Sequence, residues 1–142
     1  MNKAKYFLIF AVVILSMTFL STMAFADWHI RGVVFKDKDC DGIKQGGEGP
    51  LKNATVTIVG PKWPSGTSQI TPSDGKYDFY AKNAPGTYTI TVTPEPQTVY
   101  CILSLPPLFP NPRTVIMVKK DINNVNFGAS KIGVSPPSGC CP

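Results

Sequence analysis

The chain has 142 residues, and its 14 basic and 9 acidic side chains give a net charge of +5 at neutral pH. The basic residues are scattered singly apart from Lys119-Lys120, and no basic stripe alternates with aromatic residues. This distribution argues against nucleic acid as a partner. With one histidine, His29, and no G-x-S-x-G serine, the chain also lacks the groups of a hydrolase, so we predict that it is not an enzyme.

Residues 1–26 have the pattern of a secretory signal peptide. Lys3 and Lys5 form a basic start, residues 6–20 are almost wholly apolar, and Ala24-Phe25-Ala26 offers a small-residue cleavage site. The alternative is an uncleaved membrane anchor, for which the apolar run is short. Removing these 26 residues leaves 116 with a net charge of +3. We therefore expect a secreted protein, extracellular or on the cell surface, with no membrane span after cleavage.

The mature chain is large enough for one domain, which we place at residues 27–130. Short β-branched and aromatic runs alternate with turn residues, a pattern typical of an all-β sandwich, and no long segment has helical spacing. The clearest run places Tyr88, Ile90 and Val92 on one face and threonines on the other. Strands are predicted at residues 29–36, 54–59, 69–71, 76–80, 86–93, 99–103, 113–119 and 124–129.

Proline and glycine mark the predicted connections. Residues 61–66 and 94–96 are predicted loops, and Ser73-Asp74-Gly75 has the composition of a hairpin turn. Residues 105–112 contain four prolines, which cannot lie in a central strand, and are predicted to be an extended edge or a loop. Residues 131–142 lack a core pattern and are predicted to be a flexible tail that contains cysteines.

Residues 37–48 match the twelve-residue calcium loop D-x-D-x-D-G-x5-E. Its carboxylates would repel one another unless a hard divalent cation, which prefers six to eight oxygen ligands, lay between them. Gly42 falls at the loop position where the chain must turn sharply. The predicted Ca²⁺ ligands are Asp37, Asp39, Asp41, the backbone carbonyl of Ile43, Gln45 (directly or through water) and Glu48. The alternative is an acidic, glycine-rich surface turn, since Asp and Gly are ordinary turn formers.

The segments that flank this loop are unlike the helices of an EF-hand. Residues 30–36 are rich in β-branched and aromatic side chains, and residues 46–50 contain glycine and proline. We therefore predict that the loop leaves a β-strand, so that an EF-hand-like ligand set occurs without EF-hand helices. Asp74 and Asp78 are candidates for a second calcium site, although a turn and a solvent-facing strand position explain them equally well.

Cysteines and aromatic residues leave several alternatives open. Export permits disulfides, and four cysteines allow three pairings. One arrangement joins Cys40 to Cys101 and leaves Cys140 and Cys141 to bond each other or another molecule. Zinc is disfavoured, because no C-x2-C spacing is present. Trp63 would either contact a ligand or cap the sandwich. The aromatic residues expected in the core rather than in a carbohydrate-stacking platform are Tyr77, Phe79, Tyr88 and Phe127.

Five blocks of the sequence resemble the SdrD B-like domain, a module of bacterial surface adhesins that is related to Cna B-type and transthyretin-like domains. The blocks, in the family's order, are residues 32–42, 48–58, 71–79, 84–90 and 125–128. The resemblance covers about residues 30–129 and implies an immunoglobulin-like or prealbumin-like β-sandwich of about seven strands with an EF-hand-like calcium loop. Carried over residue by residue, it implies the metal ligands Asp37, Asp39, Asp41, the Ile43 carbonyl and Glu48.

These observations lead us to expect a calcium-stabilised structural module of the bacterial cell surface or extracellular matrix, either a fibre or layer subunit or an adhesion module. Self-association into an oligomer or filament is expected through edge strands, residues 27–30 or the cysteine tail. The alternative is a monomeric extracellular module that binds a carbohydrate or protein ligand through residues 62–66 and 105–112.

Overall fold

The computed structural model describes residues 27–97, 100–102 and 111–132. The predicted signal peptide, Cys140 and Cys141 lie outside these residues, as do most of the proline-rich segment and most of the predicted tail. No helix within the described ranges has the length and apolar character needed to cross a membrane.

Eight strands form two four-stranded sheets within the described residues, which confirms the predicted all-β sandwich. The sheet orders are β4-β1-β8-β6 and β3-β2-β5-β7. The strands are β1 (His29–Lys36), β2 (Thr55–Gly60), β3 (Trp63–Ile70), β4 (Lys76–Tyr80), β5 (Gly86–Thr93), β6 (Tyr100–Ile102), β7 (Arg113–Met117) and β8 (Phe127–Lys131). β1, β4 and β5 have the predicted bounds, whereas β8 begins three residues later than predicted and continues to Lys131.

The core lies between the sheets and is built from alternate strand positions. On β5, Tyr88, Ile90 and Val92 are buried, as the alternation predicts, and they face Ile30 and Val34 of β1 in one apolar cluster. The four aromatic residues assigned to the core are all at most 3% exposed. This alternation makes one face of each sheet apolar, so that burying both faces stabilises the sandwich.

β3 differs from the prediction, because it begins at Trp63 and includes part of the predicted loop 61–66. It is an edge strand of its sheet, where a proline such as Pro64 is tolerated. The Trp63 ring packs edge-on against Phe79 and Tyr88, with centroids 5.8 and 6.2 Å apart. Trp63 is therefore half-buried at the margin of the core and caps the sandwich.

The turn Ser73-Asp74-Gly75 is not a hairpin, because β3 pairs with β2 whereas β4 pairs with β1. The turn carries the chain from one sheet to the other. Gly75 has a φ of +69°, and a Cβ there would lie 2.4 Å from the carbonyl oxygen of Val34. A tight crossing between sheets and a tight hairpin need the same turn residues, so composition could not distinguish them.

Tyr77 donates a buried hydrogen bond that we expect to contribute measurably to the stability of the fold. Its hydroxyl donates to the backbone carbonyl of Val125, close to Gly32, and burial raises the pKa of this phenol. Tyr77→Phe should lower the free energy of unfolding by about 1–2 kcal/mol, because a buried carbonyl loses its donor. Urea unfolding would measure the loss. The matched control Tyr80→Phe removes a surface hydroxyl bonded to Asp27 and should change little; equal losses would contradict the assignment.

A candidate metal centre beside the first and last strands

The acidic loop begins where β1 ends, next to the last strand. β1 pairs in parallel with β8 from Val34 to Lys36, and the N–H of Asp37 donates to the carbonyl of Ala129 at 3.0 Å. The other end of the loop is fixed as well, since the N–H of Lys36 donates to the carbonyl of Gly49 at 2.8 Å. Both ends of the loop are therefore attached to regular structure, as the prediction of a loop that leaves a strand requires.

Asp37 is the buried anchor of the loop, with 2% of its surface exposed. One of its carboxylate oxygens accepts the N–H of Cys40 and the other accepts the N–H of Gly42, both at 2.7 Å. Gly42 has a φ of +75° and Cys40 a φ of +67°, so the chain turns sharply around this carboxylate. Glycine suits the first of these positions because it has no Cβ to clash.

Glu48 is the second buried carboxylate, with 7% of its surface exposed. Its Oε1 accepts the N–H of Lys38 at 2.8 Å and its Oε2 accepts the N–H of Gln45 at 2.9 Å. The last residue of the motif therefore joins the beginning and the middle of the loop. Both carboxylate oxygens of Glu48 are therefore held in place by backbone N–H groups, and its bidentate coordination of a cation stays a prediction.

Asp39 and Asp41 lie on the exposed side of the loop. The side-chain amide nitrogen of Gln45 donates to one oxygen of each, at 3.0 and 2.5 Å. The other oxygen of Asp41 accepts the N–H of Ile43 at 2.7 Å. The side chain of Ile43 is 56% exposed and has no ligand atom, and coordination by its backbone carbonyl stays a prediction.

Three of the predicted ligands converge closely enough to share one cation. Asp37, Asp39 and Glu48 each offer a carboxylate oxygen, and these oxygens lie within 4.8 Å of one another. Asp41 is outside this group of three but shares the Gln45 amide with Asp39. The full set of six ligands remains a prediction, and three hard oxygen donors at this separation fit a calcium ion.

Electrostatics within the loop favour an added positive charge. Burial raises the pKa of Asp37, and the negative charge of Glu48 adds to this effect, although the N–H groups of Gly42 and Cys40 oppose it. No lysine or arginine forms an ion pair with a loop carboxylate in the described part of the chain. The nearby ammonium group of Lys38 instead donates to the carbonyl of Gly47 at 2.7 Å. A bound cation would remove the repulsion that the described basic side chains leave uncompensated.

The contacts of Asp74 and Asp78 do not favour a second calcium site. Asp74 pairs with Lys76 at 3.1 Å, whereas Asp78 pairs with Arg31 at 2.9 Å and with His29 at 2.5 Å. Burial alone would raise the pKa of Asp78, but the hydrogen bonds from Arg31 and His29 outweigh burial and lower it. Each carboxylate is therefore already occupied by a basic partner.

Sequence reasoning missed this ionic network on the outer face of β1 and β4, including the role of His29. Arg31 also binds Asp121 at 2.9 Å. Strand alternation places Arg31 and Asp78 on outer faces, but the register that pairs these two residues is a tertiary property. Only their outward orientation could have been predicted.

The two described cysteines both lie beside Ser130 of β8. The sulfur of Cys40 is 3.3 Å from the Ser130 hydroxyl oxygen, and that of Cys101 is 3.8 Å from its carbonyl oxygen. Neither cysteine is a free thiol. The acidic loop, β6 and β8 therefore meet at one residue.

Comparison with known families gives one match. The profile of the SdrD B-like domain matches residues 29–103, which is more than half of the chain. The chain belongs to the SdrD B-like domain family. SdrD B-like domains are structural modules of bacterial surface proteins rather than enzymes, and the resemblance noted in the sequence is confirmed. Among curated proteins, no relative matches the chain.

Proposed function

We propose that this SdrD B-like protein is a secreted structural module whose fold is stabilised by Ca²⁺, and that it serves the bacterial cell surface or extracellular matrix. One observation carries the proposal. Two carboxylates that are almost wholly buried, Asp37 and Glu48, lie together with Asp39 at the junction of β1 and β8, and no basic side chain among the described residues forms an ion pair with them. Each of these two carboxylates accepts two backbone N–H groups, but such neutral donors do not remove the mutual repulsion of buried negative charges that lie this close together, and a bound cation would remove it.

Calcium would stabilise the fold by joining the two arms of the loop. Asp37 belongs to the end of β1, and Glu48 leads into the segment that hydrogen-bonds to β1 at Gly49. Extracellular calcium modules bind with dissociation constants of roughly 10⁻⁴–10⁻³ M, which suits the surrounding medium. Binding to the folded form alone adds RT ln(1 + [Ca²⁺]/Kd) to stability.

The strand topology supports a load-bearing role. β1 and β8 are parallel neighbours, so the start of β1 and the end of β8 point to opposite ends of the same ladder. A force applied through these two ends loads the hydrogen bonds between β1 and β8 together, in shear. The acidic loop lies directly beyond this ladder, because Asp37 hydrogen-bonds to Ala129. Calcium and any disulfide that Cys40 or Cys101 forms near Ser130 would strengthen this junction further.

Calorimetric titration of residues 27–142 with Ca²⁺ tests the metal centre. We expect one site with a dissociation constant of roughly 10⁻⁴–10⁻³ M, and weaker binding of Mg²⁺, which demands shorter bonds in octahedral geometry. Asp39→Asn should weaken the binding, because it removes a charged ligand on the exposed side. A wild-type protein that binds no Ca²⁺, or a variant that binds it equally well, would contradict the proposal.

Self-association is the second part of the proposed role, and edge strands and the cysteine tail are its candidate joints. Electron microscopy of residues 27–142 in calcium should reveal ordered filaments or layers if the protein is a structural subunit. A persistent monomer would contradict this part of the proposal while leaving the calcium centre intact.

Of the two binding segments predicted for the alternative function, residues 62–66 receive little support, and residues 105–112 stay a prediction. Trp63 packs inward from β3 instead of projecting from a loop, and residues 105–110 lie outside the described part of the chain.

A further inference from the structure

A groove crosses the outer face of the sheet that contains β1 and β4, on the surface opposite the core. Its volume is about 580 Å³. Arg31 and Val33 of β1 form the floor together with Lys76 and Asp78 of β4. We call it the outer groove; its two walls are formed by residues 123–126 and by residues 69–72.

The wall at residues 69–72 is fixed by Gln69, which belongs to the other sheet. Its amide nitrogen donates to the carbonyl of Asp78 at 2.6 Å, and its amide oxygen accepts the N–H of Asp78 at 3.0 Å. β4 is an edge strand, so these bonds satisfy backbone groups that would otherwise face solvent. Ile70 and Pro72 beside Gln69 present apolar surface to the same groove.

The opposite wall is fixed by hydrogen bonds to β1. The side-chain oxygen of Asn126 accepts the N–H of Val33 at 3.0 Å, and the N–H of Val125 donates to the carbonyl of Arg31 at 3.1 Å. The amide oxygen of Asn126 is thus committed, which orients its amide nitrogen. Asn123 and Asn124 are exposed beside it, and their side chains make no hydrogen bond with other described residues.

The charges that line the outer groove are already compensated. Arg31 uses Nε for Asp78 and Nη1 for Asp121, both at 2.9 Å, which holds the guanidinium in place and leaves Nη2 available. Lys76 pairs with Asp74 at 3.1 Å. The groove therefore offers fixed N–H donors and several side-chain amides, which both donate and accept, without an excess of either charge.

We propose that the outer groove binds a neutral saccharide chain. Sugar hydroxyls donate and accept hydrogen bonds, as the amides of Asn123, Asn124 and Asn126 do, and the C–H faces of a sugar suit the apolar surface of Ile70 and Pro72. The absence of excess charge favours a neutral ligand over an anionic one. Arg31 and Asn126 are already held by internal hydrogen bonds, so that these two side chains lose little entropy on binding. The outer groove shares no residue with the metal centre, so this inference does not depend on calcium.

The test is calorimetric titration of residues 27–142, in calcium, with three probes: the β-1,4-linked glucose hexamer, the α-1,4-linked glucose hexamer and the N-acetylglucosamine hexamer. We expect binding of at least one. The variant Asn123→Ala combined with Asn124→Gly should weaken it about tenfold, which corresponds to the loss of one or two hydrogen bonds. Glycine at position 124 retains the φ of +61°. The control, Thr89→Ala with Thr91→Ala on the other sheet, should bind as the wild type does.

A measurement on the wild type makes the result independent of variant folding. Nuclear magnetic resonance should detect shifts of the side-chain amide signals of Asn123, Asn124 and Asn126 and of the Arg31 Nε–H when the bound hexamer is added. Absence of binding by all three hexamers would overturn the proposal, as would shifts confined to other surfaces or a groove variant that binds like the control. Capture of an uncharged extended peptide in place of any hexamer would also overturn it.

Discussion

Asp37→Ala is expected to lower the melting temperature of residues 27–142 by roughly 10–20 °C and to abolish its response to calcium. The variant removes a predicted ligand and leaves the N–H groups of Gly42 and Cys40 without their buried acceptor. Hydrogen bonds to a charged group contribute about 1.5–3 kcal/mol each, and about 1 kcal/mol corresponds to roughly 3–4 °C in a domain of this size, so the two lost bonds account for a shift of this order. The loss of calcium linkage adds to this effect at millimolar Ca²⁺.

Thermal unfolding followed by circular dichroism, in calcium and in chelator, measures both effects. The wild type should melt at a lower temperature in chelator, whereas Asp37→Ala should melt at one temperature in both. Asp74→Ala is the matched control, because it removes an aspartate from a surface turn where Lys76 is its partner. If chelator leaves the wild type unchanged and Asp37→Ala melts like Asp74→Ala, the metal centre is wrong.

The sequence predicted the sandwich well where local pattern and tertiary environment agree. β5 alternates apolar and hydroxyl residues along its whole length, and one of its faces is buried throughout. β3 departs from this rule, since Pro64, Ser65 and Gly66 interrupt any apolar alternation. Its place in the sheet comes from antiparallel pairing with β2 rather than from its own pattern. A strand specified by its neighbour is difficult to find in its own residues.

The sequence motif predicted which residues form the candidate site, but it could not predict how deeply each carboxylate is buried. Spacing treats the four carboxylates of the loop alike, whereas the structure buries Asp37 and Glu48 and leaves Asp39 exposed. The difference arises from β8, which lies against the start of the loop through the hydrogen bond from Asp37 to Ala129. The first strand pairs with the last although more than ninety residues separate them in the chain, and a local motif carries no information about a pairing at that distance.

Gly128→Ala should weaken calcium binding at least tenfold although it changes no ligand. Gly128 pairs with Phe35 in the β1–β8 ladder, and a Cβ there would lie 2.6 Å from Oδ2 of Asp37 and 3.2 Å from the Phe35 ring. The same Oδ2 accepts the N–H of Gly42, so the carboxylate cannot move away without losing that bond. Overpacking of this kind costs about 1–3 kcal/mol in stability, and displacement of Asp37 should also reduce metal affinity.

Two alanine variants separate a loss of affinity from a loss of stability. Gly60→Ala also overpacks the interior, because the added Cβ would lie 2.2 Å from the Tyr88 ring. Gly60 is remote in sequence from the acidic loop, so this variant should retain wild-type calcium affinity. Gly46→Ala lies within the loop, where a Cβ meets no atom within 4 Å, and should change neither property. Calorimetric titration and urea unfolding of the three variants give both quantities. Equal calcium affinity for Gly128→Ala and Gly60→Ala would mean that β8 does not position Asp37. If only Gly128→Ala loses calcium affinity, the last strand is part of the metal centre. The Asp37 carboxylate occupies the space next to Gly128 that a Cβ would fill.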